Sequence, residues 1–405
     1  MEGSRTVLLI GTLDTKGAEY AYLRERLRMH GVEAILADAG VNEPVGVEPD
    51  MHVGGDPAAL AAAGDRGAAV TAMAEAAEAL ARRLYEEGRI GGVLAAGGSG
   101  GTAIATRAMQ ALPVGAPKLM VSTVAAGNTV DYVGASDVTL MASVTDVAGV
   151  NSISGRILAN AAAAMAGMIQ APPVELGVQR PLIGATMFGV TTPCVTAARE
   201  RLEEHGYEVL VFHATGTGGR AMEGLMESGF LRGVLDTTTT ELCDELVGGV
   251  FSAGPERLEA AGRLGLPQVV SLGALDMVNF GPIDTVPPEF RSRNLYKHNP
   301  TVTLMRTTPT ECAELGRRIA RKLNAATGPV TLFIPLEGVS LIATEGQVFW
   351  DPEADQALFD ALRETLDPGV DVRELDTDVN DPTFARAMAD TLHDHYRAWI
   401  AERVG

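Results

Sequence analysis

Val7-Leu8-Leu9-Ile10-Gly11-Thr12-Leu13-Asp14-Thr15-Lys16-Gly17 opens the stretch that decides the fold. Val7–Ile10 is apolar without alternation, as in a strand covered on both faces. A polar turn follows over 11–17. Ala18–His30 has helical spacing, with Ala18, Ala21, Tyr22 and Leu27 placed inward, and Gly31 stands where a helix C-terminus favours glycine. Val32–Ala37 reads as a second strand, closed by Asp38-Ala39-Gly40. Strand, helix and strand in this order form the βαβ unit of parallel sheets.

The unit recurs from Leu182 to Ala214. Aligned without gaps, Arg24–Leu27 repeats as Arg199–Leu202 and His30-Gly31 as His205-Gly206. Further along, Gly92-Val93-Leu94 matches Gly233-Val234-Leu235, and Val138–Met141 matches Val302–Met305. The order is kept throughout. An α/β fold is expected, with two Rossmann-like, doubly wound parallel-sheet domains related by internal duplication. The boundary falls in Gln170–Gly177, where Pro172-Pro173 stop an Ala-rich helix, giving domains 1–177 and 178–405. The second domain has extra strands at Val330–Pro335 and Val370–Leu375 and extra helices at Pro352–Leu366 and Pro382–Val404. On the last helix, His393 and His395 are expected at the surface.

The 405 residues include 32 Lys+Arg and 52 Asp+Glu, a net charge of −20. Such a charge repels nucleic acid and anionic membrane, so neither is expected as a partner, while a local pocket for a small anion remains open. With 46% apolar residues the chain can fill globular cores. Three scattered cysteines, Cys194, Cys243 and Cys312, suit neither a disulfide framework nor a zinc site. No leader-like or bilayer-length apolar run is present, so a cytoplasmic location is expected. Glycine is abundant, at 46 residues, well above the ~7% of an average chain.

Many of those glycines cluster where strands end. Gly97-Gly98-Ser99-Gly100-Gly101-Thr102 lies between an apolar strand and a helix. Glycines admit close ligand approach, and a helix N-terminus presents free N–H groups and a positive dipole end. No Lys precedes Thr102, so this is not a Walker A loop, and the spacing departs from GxGxxG. Gly11, Asp14, Thr15 and Lys16 form a second polar strand end. Lys16 can reach a phosphate and Asp14 a Mg²⁺ ion or a ribose hydroxyl, although Asp14 or Thr15 equally suits a helix cap. Ser122, Thr123 and Gly127 make a third, and Ser143–Asp146, before a helix containing Asn151, a fourth. Together they predict one cleft for a nucleotide or other phosphorylated ligand. In the second half, Thr215–Arg220 could hold an anion. Cys194, His213, Asp236 and Glu241 could form an acid/base or nucleophile set, with His213, Glu241 and Arg220 the leading catalytic candidates. Gly273–Pro300 reads as a long irregular loop, a candidate docking arm.

The strings GTLDTKGAE (11–19), GGSGGTA (97–103), VSTVA (121–125), HATGTGGRAME (213–223), LGALDMVNFGP (272–282) and VTLMRTT (302–308) resemble a two-domain family. It is named for the tomato mosaic virus resistance protein and has many bacterial members. The resemblance runs from Val7 to about Phe384. It implies two Rossmann-like domains, ATP binding and homodimers. The expected function is therefore a cytoplasmic ATP-binding protein, with Mg²⁺ as companion ion and Gly97–Thr102 around the phosphates. Two alternatives stay open: an enzyme acting on a small phosphorylated or carboxylic metabolite between the domains, or a non-catalytic, ATP-gated regulator.

Overall fold

The computed structural model describes residues 4–54, 66–172 and 180–404. Chain contacts divide it into two units, Met1–Glu175 and Leu176–Gly405. Residues 173–177 of the Pro-containing boundary lie outside the described residues.

The first unit runs β1 (Val7–Gly11), α1 (Leu13–Met29), β2 (Ala34–Asp38), β3 (Met51–His52), α2 (Arg66–Glu86), β4 (Gly92–Gly97), α3 (Ser99–Gln110), β5 (Lys118–Ser122), α4 (Val130–Val133), β6 (Thr139–Ala142) and α5 (Ser154–Gln170). The strands form one parallel sheet in the order β3-β2-β1-β4-β5-β6. That is the order of a dinucleotide-fold sheet, which reverses direction between β1 and β4. Strand periodicity sorts the core. Leu8, Ile10, Val93 and Ala95 pack against Met73, Ala77, Ile104 and Ala108 of α2 and α3. Val7, Leu9 and Leu94 face Tyr20, Leu23, Leu158 and Met165 of α1 and α5.

Two local expectations are corrected. Helix α1 starts at Leu13, before a kink at Lys16, so its phase is shifted: Leu13, Tyr20, Leu23 and Leu27 point inward, while Ala18 is exposed. Asn151 precedes α5 instead of belonging to it. Its side-chain oxygen accepts from the Ile153 and Ser154 amides at 2.9 and 3.0 Å.

The second unit runs β7 (Leu182–Met187), α6 (Thr192–Glu204), β8 (Glu208–His213), α7 (Thr217–Glu227), β9 (Leu231–Thr238), α8 (Glu241–Val247), α9 (Ala260–Arg263), β10 (Gln268–Gly273), β11 (Met277–Phe280), β12 (Leu295–Asn299), β13 (Val302–Arg306), α10 (Pro309–Asn324), β14 (Val330–Pro335), α11 (Pro352–Thr365), β15 (Asp371–Leu375) and α12 (Pro382–Val404). Its parallel sheet has the order β15-β14-β10-β9-β7-β8. Five consecutive sheet positions match the first unit: β2-β1-β4-β5-β6 against β8-β7-β9-β10-β14. The first unit adds β3 at one edge, and the second adds β15 at the other.

The Val302–Met305 repeat does not fit this correspondence. It lies in β13, the middle strand of a separate antiparallel sheet, β11-β13-β12. The true counterpart of β6 is β14. The stretch Gly273–Pro300 is likewise not one irregular loop, because it contains β11, two short 3₁₀ turns and β12. Prolines 282, 287 and 288 punctuate it, and the Met277–Phe280 strand just before them is too short to stand out by pattern.

Candidate functional site

Neighbouring strands β1 and β4 send their following helices to opposite faces, and such a switch point leaves a crevice at the strand ends. Their register runs from Val7 opposite Gly92 to Leu9 opposite Leu94. Beyond it, the Tyr20 hydroxyl enters between the strands. It donates to Ile10 O at 2.6 Å and accepts from the Ala96 amide at 3.0 Å. Burial pushes its phenol well above the ordinary range. A Cβ on Gly11 would fall inside the Tyr20 ring, so Gly11 makes room for this wedge. Gly17 is set by packing too, against the Val45 carbonyl.

Above the wedge lies a cavity of about 520 Å³. The β1–α1 turn contributes Thr12, Asp14, Thr15 and Lys16, the β4–α3 turn contributes Gly97–Gly101, and Asp146 lines it as well. Val41, Val70, Met73 and Ile104 form an apolar wall. Helix α3 has no side-chain cap. The Thr102 amide returns to Gly98 O at 2.8 Å, while the amides of Ser99, Gly100 and Gly101 make no hydrogen bond among the described residues. Gly98, Gly100 and Gly101 have ordinary φ, and a Cβ there would meet nothing closer than 3.7 Å. Packing does not require these glycines, and glycine in a helix costs up to ~1 kcal/mol relative to alanine. Their effect is a cavity wall of bare backbone.

The other expected residues serve this wall from behind. Thr102 and Ser122 are buried, with their hydroxyls 2.7 Å apart, and Thr102 Oγ1 also donates to Gly98 O at 2.8 Å. Thr123 and Gly127 are exposed and do not line the cavity. Asp14 accepts from the Asn42 side chain at 3.1 Å, which ties it to the turn after β2. Lys16 makes no ion pair among the described residues. Those residues contain no group of three or more metal-ligating side chains. Sequence reasoning missed Asp38, whose Oδ1 accepts from the amides of Leu13 and Gly40 at 3.0 and 2.8 Å and fixes the β1–α1 turn. An acidic residue closing the second strand was the available signal.

The second unit treats the same region differently. Thr237–Glu241, at the end of β9, has no exposed surface. The glycine-rich turn before α7 does hold an anion, and that anion is the chain's own. Glu241 Oε1 accepts from the Gly216 and Gly219 amides at 2.7 and 3.1 Å. Its Oε2 accepts from Arg257 Nε at 2.7 Å, and Arg257 makes a bidentate pair with Asp236 at 2.6 and 2.7 Å. Thr186 Oγ1 donates to Asp236 at 2.7 Å. His213 and Arg220 are exposed. Cys194 is buried in a different cluster, where burial pushes its thiol well up. Asp236 and Glu241 share Arg257, and no hydrogen bond joins either of them to His213 or Cys194 among the described residues. His393 and His395 are half-buried, bonded to Tyr207 and Thr331 at 2.9 and 2.7 Å.

Fold and site together define a class: tandem doubly wound α/β units of one strand plan, with a switch-point crevice in the first. Within that class, the chain belongs to the uncharacterised protein family UPF0261. The N-terminal domain of that family matches residues 5–173 and its C-terminal domain matches 180–396. A UPF0261 protein of Clostridium tetani (strain Massachusetts / E88) is 53% identical over 397 residues, 96% of this chain and 98% of that protein. The ToMV resistance protein Tm-1(GCR237) of Solanum lycopersicum is 41% identical over 418 residues, 96% of this chain and 55% of that protein. Among solved structures, the S. aureus MnaA-UDP co-structure is 10% identical, covering 90% of this chain and 93% of that one at a TM-score of 0.24. A likeness that slight decides nothing about function. No helix among the described residues is long and apolar enough to cross a membrane.

Proposed function

We propose that the first unit binds ATP together with Mg²⁺. The observation that carries this reading is the trio of unpaired amides at Ser99, Gly100 and Gly101 lining one cavity with Lys16. Backbone N–H groups at a helix start, with a cation alongside, suit phosphate oxygens. A space of about 520 Å³ exceeds what a lone phosphate needs, and the wall of Val41, Val70, Met73 and Ile104 suits a nucleobase. Asp14 and Asp146 face the same space. Two carboxylates near a triphosphate repel it unless a divalent cation bridges them, and Mg²⁺ is commonly held by one or two carboxylates plus phosphate. Asp14 is the proposed ligand from this chain.

Cytoplasmic residence belongs to the same reading and is supported by three free, buried cysteines. So does self-association as a homodimer, for which the family resemblance is the support. Calorimetric titration with ATP·Mg tests the binding. A ligand at 100-fold its Kd stabilises the fold by about 2.7 kcal/mol. Absence of both heat and thermal shift at millimolar ATP would end the proposal.

A further inference from the structure

A second hollow, of about 460 Å³, opens in the second unit between α9 and α10. Arg263, Arg318, Arg321 and Lys322 line it, with Glu259 as its one acidic wall residue. The chain has 52 acidic residues against 32 basic ones, so a basic hollow is unusual within it. Local compensation is thin. Glu314 alone serves three guanidiniums, those of Arg317, Arg318 and Arg321, at 3.0, 3.2 and 3.2 Å. Arg263 pairs with Glu227 at 2.5 Å through Nη2, and Lys322 pairs with Glu259.

Helix-dipole compensation accounts for Arg321 and Lys322, in the last turn of α10. It does not account for Arg318 one turn earlier, or for Arg263 reaching in from α9. Among the described residues, Arg318 uses only Nε and Arg321 only Nη2. Each guanidinium therefore keeps several of its five N–H donors for another acceptor. Forked donors from two helices around one concavity match the oxygens of a multivalent oxyanion.

We propose that this hollow is an anion site for a small multivalent oxyanion of the diphosphate kind, separate from the cavity at Gly97–Gly101. Concavity distinguishes it from a flat docking face for an acidic protein. The anion spans α9 and α10 and supplies the charge that Glu314 shares too thinly. The site is independent of the ATP reading.

The test uses the whole wild-type chain. Phenylglyoxal modifies exposed arginines, and peptide mass spectrometry reads each one separately. Inorganic pyrophosphate at about ten times its Kd slows modification of Arg263, Arg318 and Arg321 by about tenfold, because only the unoccupied fraction reacts. Arg82, exposed in the first unit, is the reference and is not protected. Sodium chloride at equal ionic strength protects none of them. Protection no greater than at Arg82, or equal protection by chloride, overturns the proposal, and so does protection by citrate with none by pyrophosphate. Lys16→Ala keeps the protection, whereas a loss in that variant would move the anion to the first unit and overturn it as well. In parallel, Arg318→Ala/Arg321→Ala abolishes any thermal upshift caused by pyrophosphate; an unchanged upshift counts against the site.

Discussion

Glu241 and Arg257 form a buried ion pair at 2.7 Å, and the carboxylate's other oxygen caps helix α7. One side chain thus fills an anion position that the glycine-rich turn before α7 offers. Arg257→Met leaves Asp236 and Glu241 as uncompensated buried charges. Losing one partner of such a pair costs about 3–5 kcal/mol. Urea unfolding of the second unit measures it; a midpoint equal to wild type contradicts the structural role. Glu241→Gln keeps an acceptor for the Gly216 and Gly219 amides and is the milder change.

Tyr20→Phe removes the hydroxyl between β1 and β4. Ile10 O and the Ala96 amide lose a partner beneath the cavity. An unpaired buried group costs about 1–3 kcal/mol. The expected result is a less stable first unit that also binds ATP more weakly, because the crevice wall shifts. Denaturation and calorimetry read the two effects separately. Loss of stability with ATP affinity untouched would confine Tyr20 to packing.

Glycine substitutions separate ligand space from packing space. Gly101→Ala meets no neighbour within 4 Å, so helix propensity predicts a gain of up to ~1 kcal/mol in stability. On the proposed function it also lowers ATP affinity, as a methyl enters the phosphate cradle. Gly11→Ala does the reverse and destabilises the fold by forcing the Tyr20 ring away. Equal ATP binding by Gly101→Ala and wild type removes this turn from the site.

Lys16→Ala removes the side-chain cation that lines the cavity. Loss of a charge-assisted bond, worth about 1.5–3 kcal/mol, weakens ATP binding at least about tenfold. Because Lys16 has no ion pair among the described residues, the ligand-free melting temperature stays near wild type. An unchanged Kd for ATP·Mg would show that the phosphates lie elsewhere.

Burial raises the Glu223 carboxyl to about 7, against the opposing effects of Arg257 and the Leu258 amide. The fold favours its protonated form, so this contribution is complete below the ordinary value near 4.5. It is lost as pH rises through about 7. Asp244 is raised to about 7 in the same sense, again by burial. Stability of the second unit should therefore decline between pH 5 and about 7.5, and Glu223→Gln should flatten part of that decline. Gln keeps an acceptor for the Leu258 amide, which now donates at 2.6 Å. Parallel curves for variant and wild type assign the slope to other groups.

Much of the architecture is readable without coordinates, for a physical reason. A strand buried on both faces must be apolar throughout, and Val7–Ile10 and Gly92–Leu94 both say so. The βαβ repeats and the polar strand ends are equally local. Local pattern misleads where the tertiary context overrides it. Val302–Met305 carries the same letters as Val138–Met141, yet one pairs antiparallel and the other parallel. Strand propensity does not choose the partner. The kink at Lys16 rotated α1, and the inward face moved from Ala18 to Tyr20 and Leu23.

Two α/β halves and the turn Gly97–Thr102 at a helix start follow from local residue pattern alone. What each glycine is for depends on residues distant along the chain. A glycine's use depends on what occupies the place of its missing Cβ, and that occupant comes from elsewhere in the chain. At Gly11 it is the Tyr20 ring, at Gly219 the Glu241 carboxylate, and at Gly98, Gly100 and Gly101 the cavity itself.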